Sequence, residues 1–141
     1  ALAVVMNVSG QTIAMGTFLA GLGTVYAFLA PALGWIGTAV TGSDTSANAL
    51  FSKLQVSAAE NLQHAGIHGA TPELMLAANT TGGVVGKMIS PQSLAIAATS
   101  VDMEGKESDI LKAVLPWSFA MLLFVCVLVF LQTNVLSFLI P

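Results

Sequence analysis

Apolar and polar positions fall into blocks along this chain. From Trp117 to Ile140 every residue is apolar except Ser118, Gln132, Thr133, Asn134 and Ser137. That is enough for a transmembrane helix, which needs about 20 such residues. Trp117 suits the headgroup level at one end, Pro116 predicts a break just before the span, and Ser108 and Asp109 suit a helix start. Near the other end, 11–23 reads as a helix with Gly16, Ala20 and Gly23 on one small-residue face, fit for close helix contact in a bilayer. A second apolar run, 25–40, is interrupted by Pro31 and Gly34 and is short for a full span. Tyr26 and Trp35 are its candidate interfacial anchors.

The middle of the chain is built differently. Six of the eight residues Thr41-Gly42-Ser43-Asp44-Thr45-Ser46-Ala47-Asn48 have polar side chains, and they stand between two apolar arms, 25–40 and 49–62. After a polar link at 61–71, a second interruption opens at Asn79-Thr80-Thr81-Gly82-Gly83 and closes at Ser90-Pro91-Gln92-Ser93, with short apolar arms on both sides. Paired interruptions of this kind point to discontinuous helices in secondary transporters. Irregular backbone at membrane depth is tolerated only where protein buries it or where it lines a water-filled cavity. The two breaks are therefore expected to face each other. The architecture expected is all-α: an initial helix, a re-entrant helical hairpin with its tip at 42–48, a broken helix with its gap at 79–93, and a C-terminal transmembrane helix at 116–140.

Composition supports a lipid environment. Only 8% of residues are charged and 55% are hydrophobic, with a mean hydropathy of +0.85; a soluble domain carries about 25% charge. No charge precedes Asp44, and none follows Lys112. Lys106 and Lys112 place 102–112 on the cytoplasmic side by the positive-inside rule. With no arginine and a net charge of −3, nucleic acid is excluded as a partner. One cysteine, Cys126, precludes an internal disulfide and a Cys-based zinc site. The chain starts with Ala and has no basic leader, so it is expected to be a fragment of a longer polypeptide.

Several motifs fail on inspection. Gly86-Lys87 lacks the hydroxyl residue of a P-loop, since Met88 follows. Gly82 and Gly86 match a helix-dimer spacing but are expected to lie in broken backbone. His64 and His68 have metal-compatible spacing without a third ligand, so no metal is expected. Asn7-Val8-Ser9 and Asn79-Thr80-Thr81 match the glycosylation pattern in apolar surroundings. No Ser/His/Asp or Cys/His constellation is present, so the chain is not read as an enzyme, and no cofactor is expected.

The two interruptions instead offer what a small hydroxy-carboxylate requires: helix N-termini, hydroxyls and a cation for the carboxylate, and mixed donors and acceptors for the hydroxyl. The candidate binding residues are Ser43, Thr45, Ser46, Asn48, Asn79, Thr80, Thr81, Gly82, Gly83, Lys87, Ser90, Gln92 and Ser93. Lys87 is the cation of the second interruption, free to meet a substrate carboxylate or Asp44; the alternative is a lysine reaching to the interface. Asp44 is the acid of the first and the candidate proton-coupling residue; the alternative is a helix cap.

At these residues the chain resembles a known family. Gly34-Trp35, Thr41-Gly42-Ser43-Asp44-Thr45-Ser46 with Asn48-Ala49-Leu50-Phe51, Ala77-Ala78-Asn79-Thr80-Thr81-Gly82-Gly83-Val84, Gly86-Lys87-Met88-Ile89-Ser90-Pro91-Gln92-Ser93 and Gly105-Lys106-Glu107-Ser108-Asp109 resemble the L-lactate permease family in order and spacing. The resemblance covers about residues 7–141, and Ile140-Pro141 looks like the family's C-terminus. Val101-Asp102-Met103-Glu104 and the link 61–71 depart from its pattern. The resemblance implies proton-coupled uptake of L-lactate, glycolate and similar acids at the bacterial inner membrane by a multi-pass protein. It also implies membership of the wider ion-transporter group, in which hairpins and broken helices carry Ser-Asn-Thr-type tips. The partners implied are L-lactate or glycolate with H+, the lipid bilayer, the rest of the parent polypeptide and, as an open option, a second copy in a homodimer. The rival readings are a sodium-coupled carboxylate carrier, a non-transporting membrane anchor or assembly segment, and a channel.

Overall fold

The computed structural model describes residues 2–136 and Phe138. The closing Ile140-Pro141 and the side chain of Asn7 lie outside the described residues. Among those described, the chain is helical throughout, with no strand: α1 (Leu2–Val8), α2 (Gln11–Ala20), α3 (Thr24–Thr41), α4 (Asp44–His64), α5 (Pro72–Lys87), α6 (Pro91–Ser100) and α7 (Glu107–Asn134). This is the all-α membrane architecture the sequence leads to. α3 and α7 are long and apolar enough to cross a bilayer.

α3 is the central element. It packs chiefly on α5 and also on α4 and α7. Glycines set the α3–α5 distance. A Cβ on Gly34 would run into the backbone of Asn79, one on Gly82 into that of Pro31, and one on Gly86 into that of Trp35. The two helices thus touch backbone to backbone, and Gly82 and Gly86, four residues apart, lie on the contacting face. Along the rest of the seam Tyr26, Ala27, Ala30, Leu54, Ala58, Met75 and Ala78 form a core from which solvent is excluded. α2 joins through the same device, since Gly16 abuts Ser57 of α4.

The chain reverses between α3 and α4 in two residues. Gly42 takes the left-handed conformation at φ 70°, and its N–H returns to the Thr38 carbonyl at 2.8 Å. A side chain is strained there, so glycine ends α3. Ser43 then caps α4, its Oγ accepting the Ser46 N–H at 3.3 Å. The second break is also short. Met88, Ile89 and Ser90 donate to carbonyls three residues back, a tightened last turn. Ser90 caps α6, and Pro91 occupies its first position, where a missing N–H costs nothing.

Four expectations are corrected by this geometry. The gap of the broken helix is 88–90, not 79–93: residues 79–87 are helical, held by α3 packed against their glycines. The tip is 42–43, not 42–48, because capping by Ser43 starts α4 at Asp44. Pro116 lies inside α7 and does not break it; it sits on an exposed turn, and one lost bond is tolerable in so long a helix. Tyr26 is not an interfacial anchor, and the polar edge of Trp35 is spent inside the protein. Tyr26 is 0% exposed, and the Trp35 Nε1–H donates to Ser118 Oγ of α7 at 2.9 Å.

The outer face of α7 exposes Trp117, Phe119, Leu123, Phe124, Val127 and Leu128. So extensive an apolar surface suits lipid or other membrane helices, not water. α4 is the opposite case. Its exposed positions include Thr45, Lys53, Glu60 and His64, a stripe that lipid cannot solvate.

Candidate functional site

Four helix ends meet at one place: the C-termini of α3 and α5 and the N-termini of α4 and α6. Lys87, in the last turn of α5, ties them together. Its ammonium donates to the Gly42 carbonyl at the end of α3 and to Gln92 Oε1 of α6 at 3.0 Å. Helix C-termini carry partial negative charge, so the lysine sits where two such ends converge. It is half-buried and is not a lysine reaching into solvent. Nor does it pair with Asp44: among the described residues the one ion pair is Lys112 with Asp109 at 3.7 Å, on the surface.

Asp44 begins α4, a favourable position for an anion, but Ser43 is the residue that caps the helix. The carboxylate is held on both oxygens. Asn48 Nδ2 donates to Oδ2 at 3.3 Å, and Thr38 Oγ1 stands 3.5 Å from Oδ1. Gly83 of α5 forms the third wall; a Cβ there would collide with Oδ1 and come within 2.8 Å of Thr38 Oγ1.

From Asp44 a chain of side chains runs into the core. Asn79 Nδ2 donates to Asn48 Oδ1 at 2.7 Å, Gln55 Nε2 donates to Asn79 Oδ1 at 3.2 Å, and the Tyr26 hydroxyl donates to Gln55 Oε1 at 2.6 Å. Gln55 Nε2 also reaches the Ala30 carbonyl at 3.0 Å. Tyr26, Gln55 and Asn79 are each 0% exposed, and no described buried side-chain nitrogen or oxygen lacks a partner. Burying three such groups is tolerable only because each is satisfied.

The sequence-derived candidates divide accordingly. Ser43, Asp44, Asn48, Asn79, Thr80, Gly83, Lys87, Ser90, Gln92 and Ser93 come together around the tip and the break. Thr80, though exposed, stands 3.2 Å from Asn48 Oδ1. Ser90 is 0% exposed; its Oγ donates to the Lys87 carbonyl at 3.0 Å and lies 3.0 Å from Ser93 Oγ. Thr45 and Ser46 are exposed on the first turn of α4. Thr81 and Gly82 stand apart. Thr81 bonds its own helix at the Ala77 carbonyl and lines a cavity of about 380 Å³ against Phe124 and Gln132 of α7. Gly82 is filled by α3. A roomier cavity of about 540 Å³ runs between α2 and α4, along Thr12, Lys53, Ser57 and Glu60. None of the candidates lines it, so the site is assigned from converging polar groups, not from volume.

Tyr26, Thr38 and Gln55 were missed in the sequence. Gln55 left a faint trace: it follows Asn48 by seven residues, and Asp44 precedes Asn48 by four, so the three share a face of α4. Tyr26 and Thr38 left none, because their partners lie on other helices. His64 and His68 are both exposed, and no cluster suited to a metal occurs among the described residues.

Comparison with known proteins adds a family. The family model described as L-lactate permease matches residues 1–136. The L-lactate permease of Bacillus subtilis (strain 168) is 47% identical over 99% of this chain and 24% of its own length. That of Escherichia coli (strain K12) is 45% identical over 100% of this chain and 24% of its own length. The glycolate permease GlcA of Escherichia coli (strain K12) is 40% identical over 97% and 23%. The chain thus spans about a quarter of the length of the curated relatives it matches. No solved structure matches it.

Proposed function

Because this chain belongs to the L-lactate permease family, we propose that it supplies the substrate gate of a proton-coupled carrier for L-lactate and related 2-hydroxy monocarboxylates such as glycolate. The carrier would be a multi-pass protein of the bacterial inner membrane, with the rest of the parent polypeptide completing the pocket. The observation that carries the reading is the convergence of the hairpin tip and the helix break on a single cation, Lys87.

The electrostatics favour a monoanion. The α4 N-terminus has its own anion in Asp44, whereas the first turn of α6 has no acidic residue. A substrate carboxylate beside Lys87 and the start of α6 gains a charge-assisted bond and a favourable helix end together. Its 2-hydroxyl then needs a group that both donates and accepts, such as Ser93 in the first turn of α6. Taking Lys87 from the Gly42 carbonyl loosens the tip, the kind of local change that alternating access needs. Asp44 carries the coupled proton across the same cycle.

The test is counterflow of labelled L-lactate in liposomes holding the full-length parent, with glycolate and succinate as competitors. Glycolate competing and succinate failing supports the reading. Uptake that requires a sodium gradient and ignores a proton gradient sinks the coupling. Lack of saturable lactate exchange sinks the carrier.

A further inference from the structure

The direction of the side-chain chain leading to Asp44 is set by one backbone atom. A carbonyl oxygen can only accept, so the Gln55 atom facing the Ala30 carbonyl is the amide nitrogen. That nitrogen also faces Asn79, which must therefore present its oxygen. The Asn79 nitrogen then faces Asn48, which presents its own oxygen there and to Thr80. What remains for Asp44 is the Asn48 nitrogen, a donor. Inverting Gln55 or Asn79 would oppose two acceptors or two donors in a dry core, and inverting Asn48 would do the same beside it. Oδ2 of Asp44 is consequently committed as an acceptor whatever the charge of the carboxyl. Protonating Oδ2 would weaken that acceptor, so the other oxygen is the better seat for a proton.

Oδ1 lies between Gly83, which brings no side chain, and the Thr38 hydroxyl. Thr38 differs from the six other threonines that lie beyond the first turn of a helix. Thr17, Thr81, Thr99 and Thr133 donate to the carbonyl four residues back in their own helix, and Thr41 and Thr80 stand within reach of that carbonyl and of a second acceptor. Thr38 instead turns to the aspartate, at 3.5 Å, a loose distance of the kind that tightens in a working complex. A hydroxyl can do either job. It donates to an ionised Oδ1. When Oδ1 is protonated, the hydroxyl oxygen accepts from that O–H instead.

We propose that the coupled proton resides on Oδ1 of Asp44 and that Thr38 is the positioning residue that receives it, its hydroxyl changing from donor to acceptor as the proton arrives. The step moves one proton onto Oδ1 and rotates one hydroxyl; no other group in the chain changes state. The inference rests on the reading of Asp44 as proton carrier. Of the charged groups on the elements packed around Asp44, Lys87 is the near one, held two residues away at Gly42. α1, α2 and α3 contribute no charge, Lys53 and Glu60 lie more than two turns further along α4, and Glu73 is at the far end of α5.

The experiment is uptake of L-lactate against external pH by the full-length parent in liposomes, for wild type, Thr38→Val, Thr38→Ser and Asp44→Asn, with counterflow measured beside it. Thr38→Val keeps the volume and removes the hydroxyl. Its pH midpoint should move towards alkaline pH by about one unit, a tenfold change in proton concentration, since the bond to the charged form is the stronger one lost. The counterflow KM should stay within about twofold, because the substrate carboxylate contacts Lys87 and not Thr38. Thr38→Ser should restore the wild-type midpoint. A second readout needs no transport: the carboxyl C=O infrared band that disappears in Asp44→Asn should shift in Thr38→Val. An unmoved midpoint and an unmoved band in Thr38→Val overturn the switch alone. Unchanged uptake and coupling in Asp44→Asn overturn the proton-carrier reading and the switch with it.

Discussion

The hairpin tip and the helix break do similar jobs by different chemistry. Both end one helix and start another within two or three residues, and both cap the new helix with a serine. The tip reverses the chain and needs the left-handed Gly42; the break lets the chain continue and uses Pro91 to forbid a regular helix. The tip carries its own acid. The break carries a cation, and its new helix has no acid in the first turn. A region whose helix end is already neutralised has no need of an external anion, whereas the break does. The two ionisable groups differ in the same way. Asp44 is the half-buried end of a polar chain that runs into the core, while Lys87 holds only a backbone carbonyl and an exposed glutamine, partners that a substrate can replace.

The largest effect should come from the packing that brings the two regions together. Gly82→Val drives a side chain into the Pro31 backbone, and overpacking of that kind costs at least about 1–3 kcal/mol. The expected result is loss of the monodisperse protein peak in detergent, with no transport. Asp44→Asn tests the tip: accumulation of lactate against its gradient should fall at least about tenfold while lactate exchange survives, since only the proton site is removed. Unchanged accumulation would remove Asp44 from the mechanism. Lys87→Met tests the break. Loss of a charge-assisted bond of about 1.5–3 kcal/mol should raise the KM for lactate by roughly ten- to a hundredfold, and a wild-type KM would exclude a role for Lys87 at the carboxylate. The caps give a finer contrast. Ser90→Ala should cost about 1–2 kcal/mol in thermal unfolding and Ser43→Ala nearer 0.5–1, because Ser90 is buried and bonds the Lys87 carbonyl as well. Thr81→Val should do least, with uptake within about twofold of wild type, because its hydroxyl serves only its own helix.

Much of this was legible in the primary structure because some signals are local. Charge depletion and the length of the last apolar run identify a membrane helix with no knowledge of its neighbours. Gly42 with its polar neighbours and Ser90-Pro91 mark places where an apolar helix is interrupted. The two hairpin arms read at 25–40 and 49–62 fall inside α3 and α4. The extent of the breaks was overestimated for one reason. Asn79, Thr80, Thr81, Gly82 and Gly83 are poor helix formers, and only the α3 backbone lying against the glycines makes a helix worthwhile there. Gly82 and Gly86 therefore read as loop glycines in the sequence and as contact glycines in the fold.

By itself, then, the order of residues determined the solvent this protein lives in, the number and rough bounds of its long elements, and where backbone had to turn. Those follow from hydropathy, capping and proline geometry, which act over a few residues. Which polar groups meet was decided by the tertiary structure alone. Tyr26, Ala30, Thr38, Asn48, Gln55 and Asn79 belong to three helices, and hydrogen bonds between helices depend on rotation and depth that no local pattern encodes.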